Sequence, residues 1–375
     1  MRDLLNKLLL IILRLLPIKH NKILFIGYYG SQYGCNPKYL SEYFSKADNS
    51  LKIIWTFIEP SKYTLNNIIK VKYYSIRYFY ELSTSKVIIT NYRLPQYFKK
   101  RSNQTYIQTW HSSLRLKMIE NDAVETIPTS YIKMAKHDSR QIDILLSGCE
   151  FSTQIFKRAF WYDGEILECG TPRCDILFNQ DKALISKLKT NLGIPTDVKL
   201  LLYAPTFRKD NSLDAYDIDF NHLKTTLEKN ANWKILIRLH PHLLNLSKEL
   251  VEKYDDVIDV TNYNDIQELL LISDLLITDY SSLMFDYLIT EKPCFIYASD
   301  LNNYLKKDRN IYFDITKLPF PLCQSNNELC QTINEFNNSK YTTAIRHFNQ
   351  QIGSFEDGNA CKRVYEKVIQ IINQQ

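Results

Sequence analysis

The sequence predicts an α/β protein built from two Rossmann-like domains whose parallel sheets face a central cleft, preceded by an amphipathic helix. Three observations carry that expectation. Short apolar runs alternate with helix-like segments along the whole chain, the alternation occurs twice around a break near residues 180–199, and polar residues gather just after the apolar runs. Runs that are apolar at nearly every position suit strands covered by helices on both faces, as in a parallel sheet.

The chain opens with "MRDLLNKLLLIILRLLP". Lys7 and Arg14 interrupt the apolar run and Pro17 closes it, short of the ~20 residues needed to span a bilayer. At 100° per residue, Arg2, Asp3, Asn6, Lys7 and Arg14 fall on one side of a helix, with Leu10 as the exception there, and the other side is leucine and isoleucine. Such a helix suits a membrane interface; packing on its own domain or a partner subunit is the rival. No small-residue cleavage site follows, and "NKILFIGYYG" resumes at once as a buried strand, which argues against a signal peptide. Residues 1–20 are therefore assigned to this helix, 21–188 to a first domain and 189–375 to a second.

In the first domain, "KILFIGYY", "LKIIWTFI", "KVIITNY", "TYIQTW", "DILLSG" and "GEILECG" read as strands, with "PKYLSEYFSK" and "SYIKMAKHDSRQ" as helices. The break "QDKALISKLKTNLGIPTDVK" holds a helix, then Gly193 and Pro195. The second domain repeats the grammar with "KLLLYAP", a helix around "FNHLKTTLEKN", then "WKILIRLH", "DVIDVT", "DLLITDY" and "KPCFIY". No repeat of fixed period is visible.

With 375 residues and 45% hydrophobic content the chain has ample core for two domains. Scarce glycine (9) and abundant tyrosine (26) exclude collagenous or linker-like character. A net charge of +6 favours phosphate-bearing ligands or an anionic membrane. No nucleic-acid motif accompanies it, and a nucleic-acid partner is not expected. The eight cysteines are scattered without zinc-like spacing, which fits a reducing compartment and no metal site.

In open α/β sheets ligands bind beyond the carboxyl ends of the strands, and the polar residues fall there. His111 follows "TYIQTW", with Ser112 or Ser113 placed to cap the next helix. "ECGTPRCD" presents Arg173; "YAPTFR" offers Pro205, Thr206 and Arg208; "KILIRLHPH" puts Arg238 and His240 on one face. "DLLITDYSSLMFDY" runs a strand into Asp279 and starts a helix at Ser281 or Ser282, with Asp286 one turn further on. Taken singly, each is more often a cap, a surface ion pair or a loop residue. Together they describe an anion site flanked by two histidines, and phosphate chemistry is the natural proposal.

With these residues in view, the chain resembles the CDP-glycerol glycerophosphotransferases, the TagB/TagF-like enzymes of teichoic acid and capsule synthesis. "TWHSSLRLK", "GTPRCD", "YAPTFR", "RLH", "DLLITDYSSLMFDY" and "KPCFIYASD" carry the resemblance, in the family's order, over roughly residues 22–300. The resemblance implies a GT-B fold, a CDP-glycerol or related CDP-polyol donor, and a lipid-linked acceptor at the cytoplasmic face of the cell membrane, where the protein would be peripheral. An acceptor hydroxyl would attack the donor's β-phosphorus and expel CMP, with His111 as base. By the same resemblance His240, Arg173, Arg208 and the Ser281–Ser282 helix start would surround the pyrophosphate. Asp286 would take a donor hydroxyl and Asp279 would order its loop. The resemblance demands neither cofactor nor metal. Two positions depart from the pattern: Ser112, Ser113 and Leu114 stand where the family has glycine, often followed by threonine and proline, and Cys174 replaces an asparagine. The alternatives are a GT-B glycosyltransferase using a nucleotide sugar and a non-catalytic membrane-associated scaffold.

Overall fold

The computed structural model describes residues 2–112, 114–208, 216–228, 231–307 and 310–374. The chain divides into two compact units, the first formed by Met1–Ser113, Ile119–Asp175 and Gly353–Gln375, the second by Leu114–Met118 and Ile176–Ile352.

The first unit holds a seven-stranded sheet: β1 (Lys19–Ile26), β2 (Lys52–Phe57), β3 (Ile68–Lys72), β4 (Ser85–Thr90), β5 (Thr105–Gln108), β6 (Ile144–Ser147) and β7 (Glu165–Glu168), in the order β3-β2-β1-β4-β5-β6-β7. All its pairings are parallel. Ile23, Leu24 and Phe25 of β1 and Val87, Ile88 and Ile89 of β4 are all buried, as central strands covered on both faces require. The second unit repeats the plan with β8 (Lys199–Tyr203), β9 (Trp233–Ile237), β10 (Val257–Asp259), β11 (Leu275–Thr278), β12 (Cys294–Tyr297) and β13 (Leu322–Cys323), ordered β10-β9-β8-β11-β12-β13 and again parallel. In both sheets the chain works outward in one direction, returns to the middle and works outward in the other. The reversal leaves a crevice beyond the carboxyl ends of the two central strands, β1 and β4 in the first unit and β8 and β11 in the second.

The sequence reading omits β3 and β13. Both are edge strands: β3 exposes Ile69, Lys70 and Lys72, so it lacks the solid apolar run of a central strand, and β13 spans two residues. A second difference concerns the C-terminus. Residues 353–375, assigned by sequence order to the second domain, pack with the first unit, and 176–188 pack with the second. The Asp175 carboxylate accepts from the N–H groups of Ala360 (3.0 Å) and Cys361 (2.8 Å) at the start of helix Ala360–Asn373. Glu150 N donates to Gly353 O at 2.9 Å. Gly353 has φ +60°, and a Cβ there would lie 2.8 Å from that of Glu150, so only glycine fits the crossing without displacement.

Helix Arg2–Leu13 packs on the first unit and contacts helix Ile76–Thr84. Its inward face is not the one that amphipathicity suggests. Asn6 and Leu10 are buried, with Leu9 and Leu13 against the core. Leu10, the apolar exception on the polar side, is thus the residue that docks the helix. Leu5 (60%), Leu8 (50%), Ile11 (61%), Ile12 (64%) and, just beyond the helix, Leu15 (86%) stand in solvent. No helix among the described residues is long and apolar enough to cross a membrane.

Candidate active site

At the crevice of the first sheet, β1 ends in Gly27, Tyr28 and Tyr29, and β4 ends in Asn91 and Tyr92. The buried Asn91 ties the two ends together, its Oδ1 accepting from Tyr28 N at 3.0 Å. Beyond β5, Trp110 takes a left-handed backbone (φ +51°), as do Tyr28 (+47°), Tyr29 (+54°) and Cys35 (+58°). Non-glycine residues hold that conformation only when their surroundings enforce it, and such strain gathers at functional sites. The turn at Trp110 delivers His111 half-buried, stacked 5.5 Å from Tyr92 at 19° and 4.4 Å from Trp110.

Asn36, which sequence reasoning missed, holds this turn. Its Nδ2 donates to Thr109 O (3.2 Å) and Trp110 O (3.1 Å), and its Oδ1 accepts from Arg173 N (3.1 Å). Arg173 closes the circuit by donating from Nη1 to His111 O and, at 3.6 Å, to Cys35 Sγ. The strand end bearing His111, the turn after β1 and the turn after β7 are thereby one hydrogen-bonded unit. In this structure Arg173 braces the histidine's backbone, a use that its position after a strand did not reveal. The only signal for Asn36 was its place in "GCNPKY" just after the first strand.

Ser112 lies half-buried beside His111; Ser113 lies outside the described residues. The helix expected after them is absent among the described residues. Residues 114–118 run extended in the second unit, where Lys117 pairs with Ile311 in an antiparallel bridge, Tyr312 N donates to Leu116 O (2.7 Å) and Met118 N to Asn310 O (2.8 Å). Leu114, Arg115 and Leu116 are all buried, so the segment's apolar residues are satisfied by extended pairing, which their spacing alone could not distinguish from a helix.

The second sheet's crevice is fastened by the same device with a charged residue. Asp279, after β11, accepts at Oδ1 from Thr206 N (2.8 Å), after β8, and from Tyr280 N (2.6 Å). Its Oδ2 takes Arg208 Nη1 at 2.8 Å, and Arg208 Nη1 also donates to Thr206 O and Oγ1 (2.7 and 2.9 Å). Asp300, at the end of "KPCFIYASD", accepts from Arg208 Nε (2.6 Å) and Nη2 (3.2 Å) and from Tyr280 Oη (2.8 Å). Burial works against the Arg208 charge, but Asp279 and Asp300 hold its pKa above the ordinary value. The guanidinium is a buried strut that orders the loops, with its donors spent on protein oxygens. Asp279 ties its loop to the one after β8; Asp300 and Tyr280 are partners that no sequence signal revealed.

Around this frame, Pro205, Thr206 and Phe207 are half-buried, as is Arg238, whose N–H continues the sheet to Tyr203 O at 2.9 Å. His240 is exposed, 4.9 Å from Phe207 and 4.7 Å from His242. Its Nδ1 accepts from His242 N (3.3 Å), which leaves Nε2 to carry the proton of the neutral ring. Burial and the neighbouring His242 both lower its pKa, so the ring stays a neutral donor. Ser281 Oγ caps Leu283 N (3.2 Å), whereas Ser282 Oγ accepts from Leu116 N (3.2 Å). The helix they start, Leu283–Tyr287, has five residues, so its dipole is small. Asp286 is buried and accepts from Gln267 Nε2 at 2.7 Å. Among the described residues no group of three metal-binding side chains occurs, and all eight cysteines are free thiols.

Comparison with known proteins gives consistent matches along nearly the whole chain. The family model for CDP-glycerol:poly(glycerophosphate) glycerophosphotransferase matches residues 8–370. A teichoic acid poly(glycerol phosphate) polymerase from Bacillus spizizenii is 34% identical over 96% of this chain and 94% of its own length. One from Staphylococcus epidermidis is 35% identical over 96% of this chain but only 52% of its own, so the chain spans about half of that relative. The wall teichoic acid polymerase TagF, solved as a histidine-to-asparagine variant soaked with CDPG, superposes with a TM-score of 0.87 at 34% identity, covering 96% of this chain and 90% of that one.

Proposed function

The chain belongs to the CDP-glycerol:poly(glycerophosphate) glycerophosphotransferase family, and from that membership we propose that it moves glycerol phosphate from CDP-glycerol to a hydroxyl of a lipid-linked acceptor in teichoic acid synthesis. We read the two Rossmann-like units as the halves of a GT-B enzyme, the first serving the acceptor and the second the CDP donor. The observation that supports the reading is found in each unit taken by itself: the first braces an aromatic-stacked histidine just past its strands, and the second carries a histidine beside a rigid charged frame.

The acceptor oxygen attacks the donor's β-phosphorus as its proton passes to His111. The new O–P bond forms as the bond to the bridging oxygen breaks, and CMP leaves with that oxygen. A hydroxyl is a poor nucleophile near neutral pH, and a positioned base contributes about 10²–10⁴-fold. His240 Nε2–H, Arg238, Thr206 and the Ser281–Ser282 turn donate to the pyrophosphate, where charge accumulates. Arg208 and Asp279 keep the loops that carry these donors in register, and Asp286 takes a donor hydroxyl. Arg173 acts by holding His111.

We place the protein on the cytoplasmic membrane face through helix Arg2–Leu13. Its outward leucines and isoleucines each bring about 1.5–3 kcal/mol on leaving water. Vesicle flotation checks this: Leu5→Ser with Leu8→Ser and Ile12→Ser should abolish binding to anionic vesicles while the melting temperature holds. Equal flotation of this variant and wild type would remove the helix from the account.

The transfer reading is tested by CMP release from CDP-glycerol and CDP-ribitol with a membrane-extract acceptor. Acceptor-dependent CMP from CDP-glycerol is expected. Product formed instead from a UDP-sugar would make the chain a glycosyltransferase.

A further inference from the structure

The crevice of the first sheet carries more aromatic surface than bracing His111 requires. Tyr28, Tyr29 and Tyr92 converge from the ends of its two central strands, Tyr29 4.7 Å and Tyr28 5.4 Å from the Tyr92 ring, and Tyr92 continues into His111. Tyr29 is 36% exposed and Tyr92 half-buried. Neither the Tyr29 nor the Tyr92 hydroxyl has a hydrogen-bond partner among the described residues. Tyr28 and Tyr29 also hold left-handed backbone where glycine would be at ease, so the fold accepts strain to present these two rings.

The charges around the rings are already spent. Arg93 is buried in ion pairs with Glu120 (3.2 Å) and Asp138 (3.3 Å), and Arg173 is tied to His111 O. Both of these guanidinium groups are therefore committed to protein oxygens rather than offered to a phosphate. A tyrosine offers an apolar face and a polar tip, which match the C–H face and the hydroxyls of a polyhydroxylated molecule. Burial and the neighbouring Tyr92 push the Tyr29 phenol up to about 12, so it remains an O–H donor at neutral pH.

We infer that the Tyr29–Tyr92 wall is the acceptor subsite, seating the uncharged polyhydroxylated unit whose hydroxyl is presented to His111. This deepens the transfer reading and rests on it. The unit is either the terminal glycerol of a polyol-phosphate chain or a sugar ring, and the wall's chemistry is the same for both.

The experiment measures KM for two lipid-linked acceptors, one ending in glycerol phosphate and one in a sugar, together with KM for CDP-glycerol. Wild type is compared with Tyr29→Ala, Tyr29→Phe and Tyr92→Phe; the last keeps a ring against His111. Tyr29→Ala should raise KM for the natural acceptor about tenfold, and each phenylalanine variant by about two- to fivefold through a lost hydrogen bond. KM for CDP-glycerol should stay within about twofold in all three. The acceptor whose KM moves names the occupant. Unchanged KM for both acceptors, or an equal rise in KM for CDP-glycerol, overturns the subsite while wild-type turnover keeps the transfer reading. Absence of CMP release by wild type removes the transfer reading and the subsite with it.

Discussion

The two sheets share one strand order and one way of tying their central strands together, yet they fill the crevice differently. In the first, an amide, Asn91, joins the strand ends and tyrosines line the surroundings. In the second, a carboxylate, Asp279, makes the corresponding bond and recruits Arg208 and Asp300 into a charged frame. An amide fixes a backbone without bringing a field. A carboxylate brings one and must be paired when buried. On the reading proposed above, the same scaffold would give a tyrosine-lined wall for a polyhydroxylated acceptor and an ordered polar frame for a pyrophosphate. Fold alone does not choose between these chemistries; the side chains at the reversal do.

Breaking each tie should expose that difference. Asp279→Ala removes one of the two carboxylates that pair the buried Arg208, which keeps Asp300, and leaves the N–H groups of Thr206 and Tyr280 without their acceptor. It is expected to destabilise the second unit by about 1–3 kcal/mol for each of those two N–H groups. Asn91→Ala leaves Tyr28 N without its acceptor and should cost about 1–3 kcal/mol. Denaturant melts of the two variants rank them; an equal cost would mean that the charge of the second tie is irrelevant. A sharper test concerns Asn36. Asn36→Ala should lower kcat about tenfold with KM for CDP-glycerol little changed, because it loosens the Trp110–His111 turn and touches nothing at the second sheet. In a His111→Ala background the same substitution should cost less than about twofold, since its effect passes through the histidine. A full tenfold loss in that background would make Asn36 merely structural. The smallest effect is electrostatic. His242→Gln removes a like-charge neighbour, so the NMR titration midpoint of His240 should rise toward the ordinary histidine value. A fall would mean that His242 supports the charged ring instead.

Much of this arrangement was legible in the sequence, for a physical reason. Central parallel strands are buried on both faces, so β1, β4, β8 and β11 read as apolar runs, and the residues just past the last two, Thr206 and Asp279, could be placed by topology alone, as could His111 beyond β5. Edge strands escape that logic: β3 alternates with solvated lysines and β13 is too short to carry a pattern. Tertiary partners escape it too. Nothing local tells Arg173 that its acceptor is the carbonyl of His111, or tells Asp175 that it caps a helix 185 residues later. Nor does spacing decide between helix and extended chain at 114–118, where the partner is Ile311. Leu10 teaches the opposite lesson. The residue that broke the amphipathic pattern was the one docking the helix, so the exception held the information.

The most direct measurement is the Kd of CDP-glycerol, by calorimetry, for wild type, His111→Ala and His240→Ala, alongside CMP release by each. The division of labour proposed here predicts that His111→Ala binds CDP-glycerol as wild type does and releases almost no CMP, whereas His240→Ala binds it at least about tenfold more weakly. Weaker CDP-glycerol binding by His111→Ala, equal to that of His240→Ala, would contradict the assignment of acceptor and donor to separate crevices.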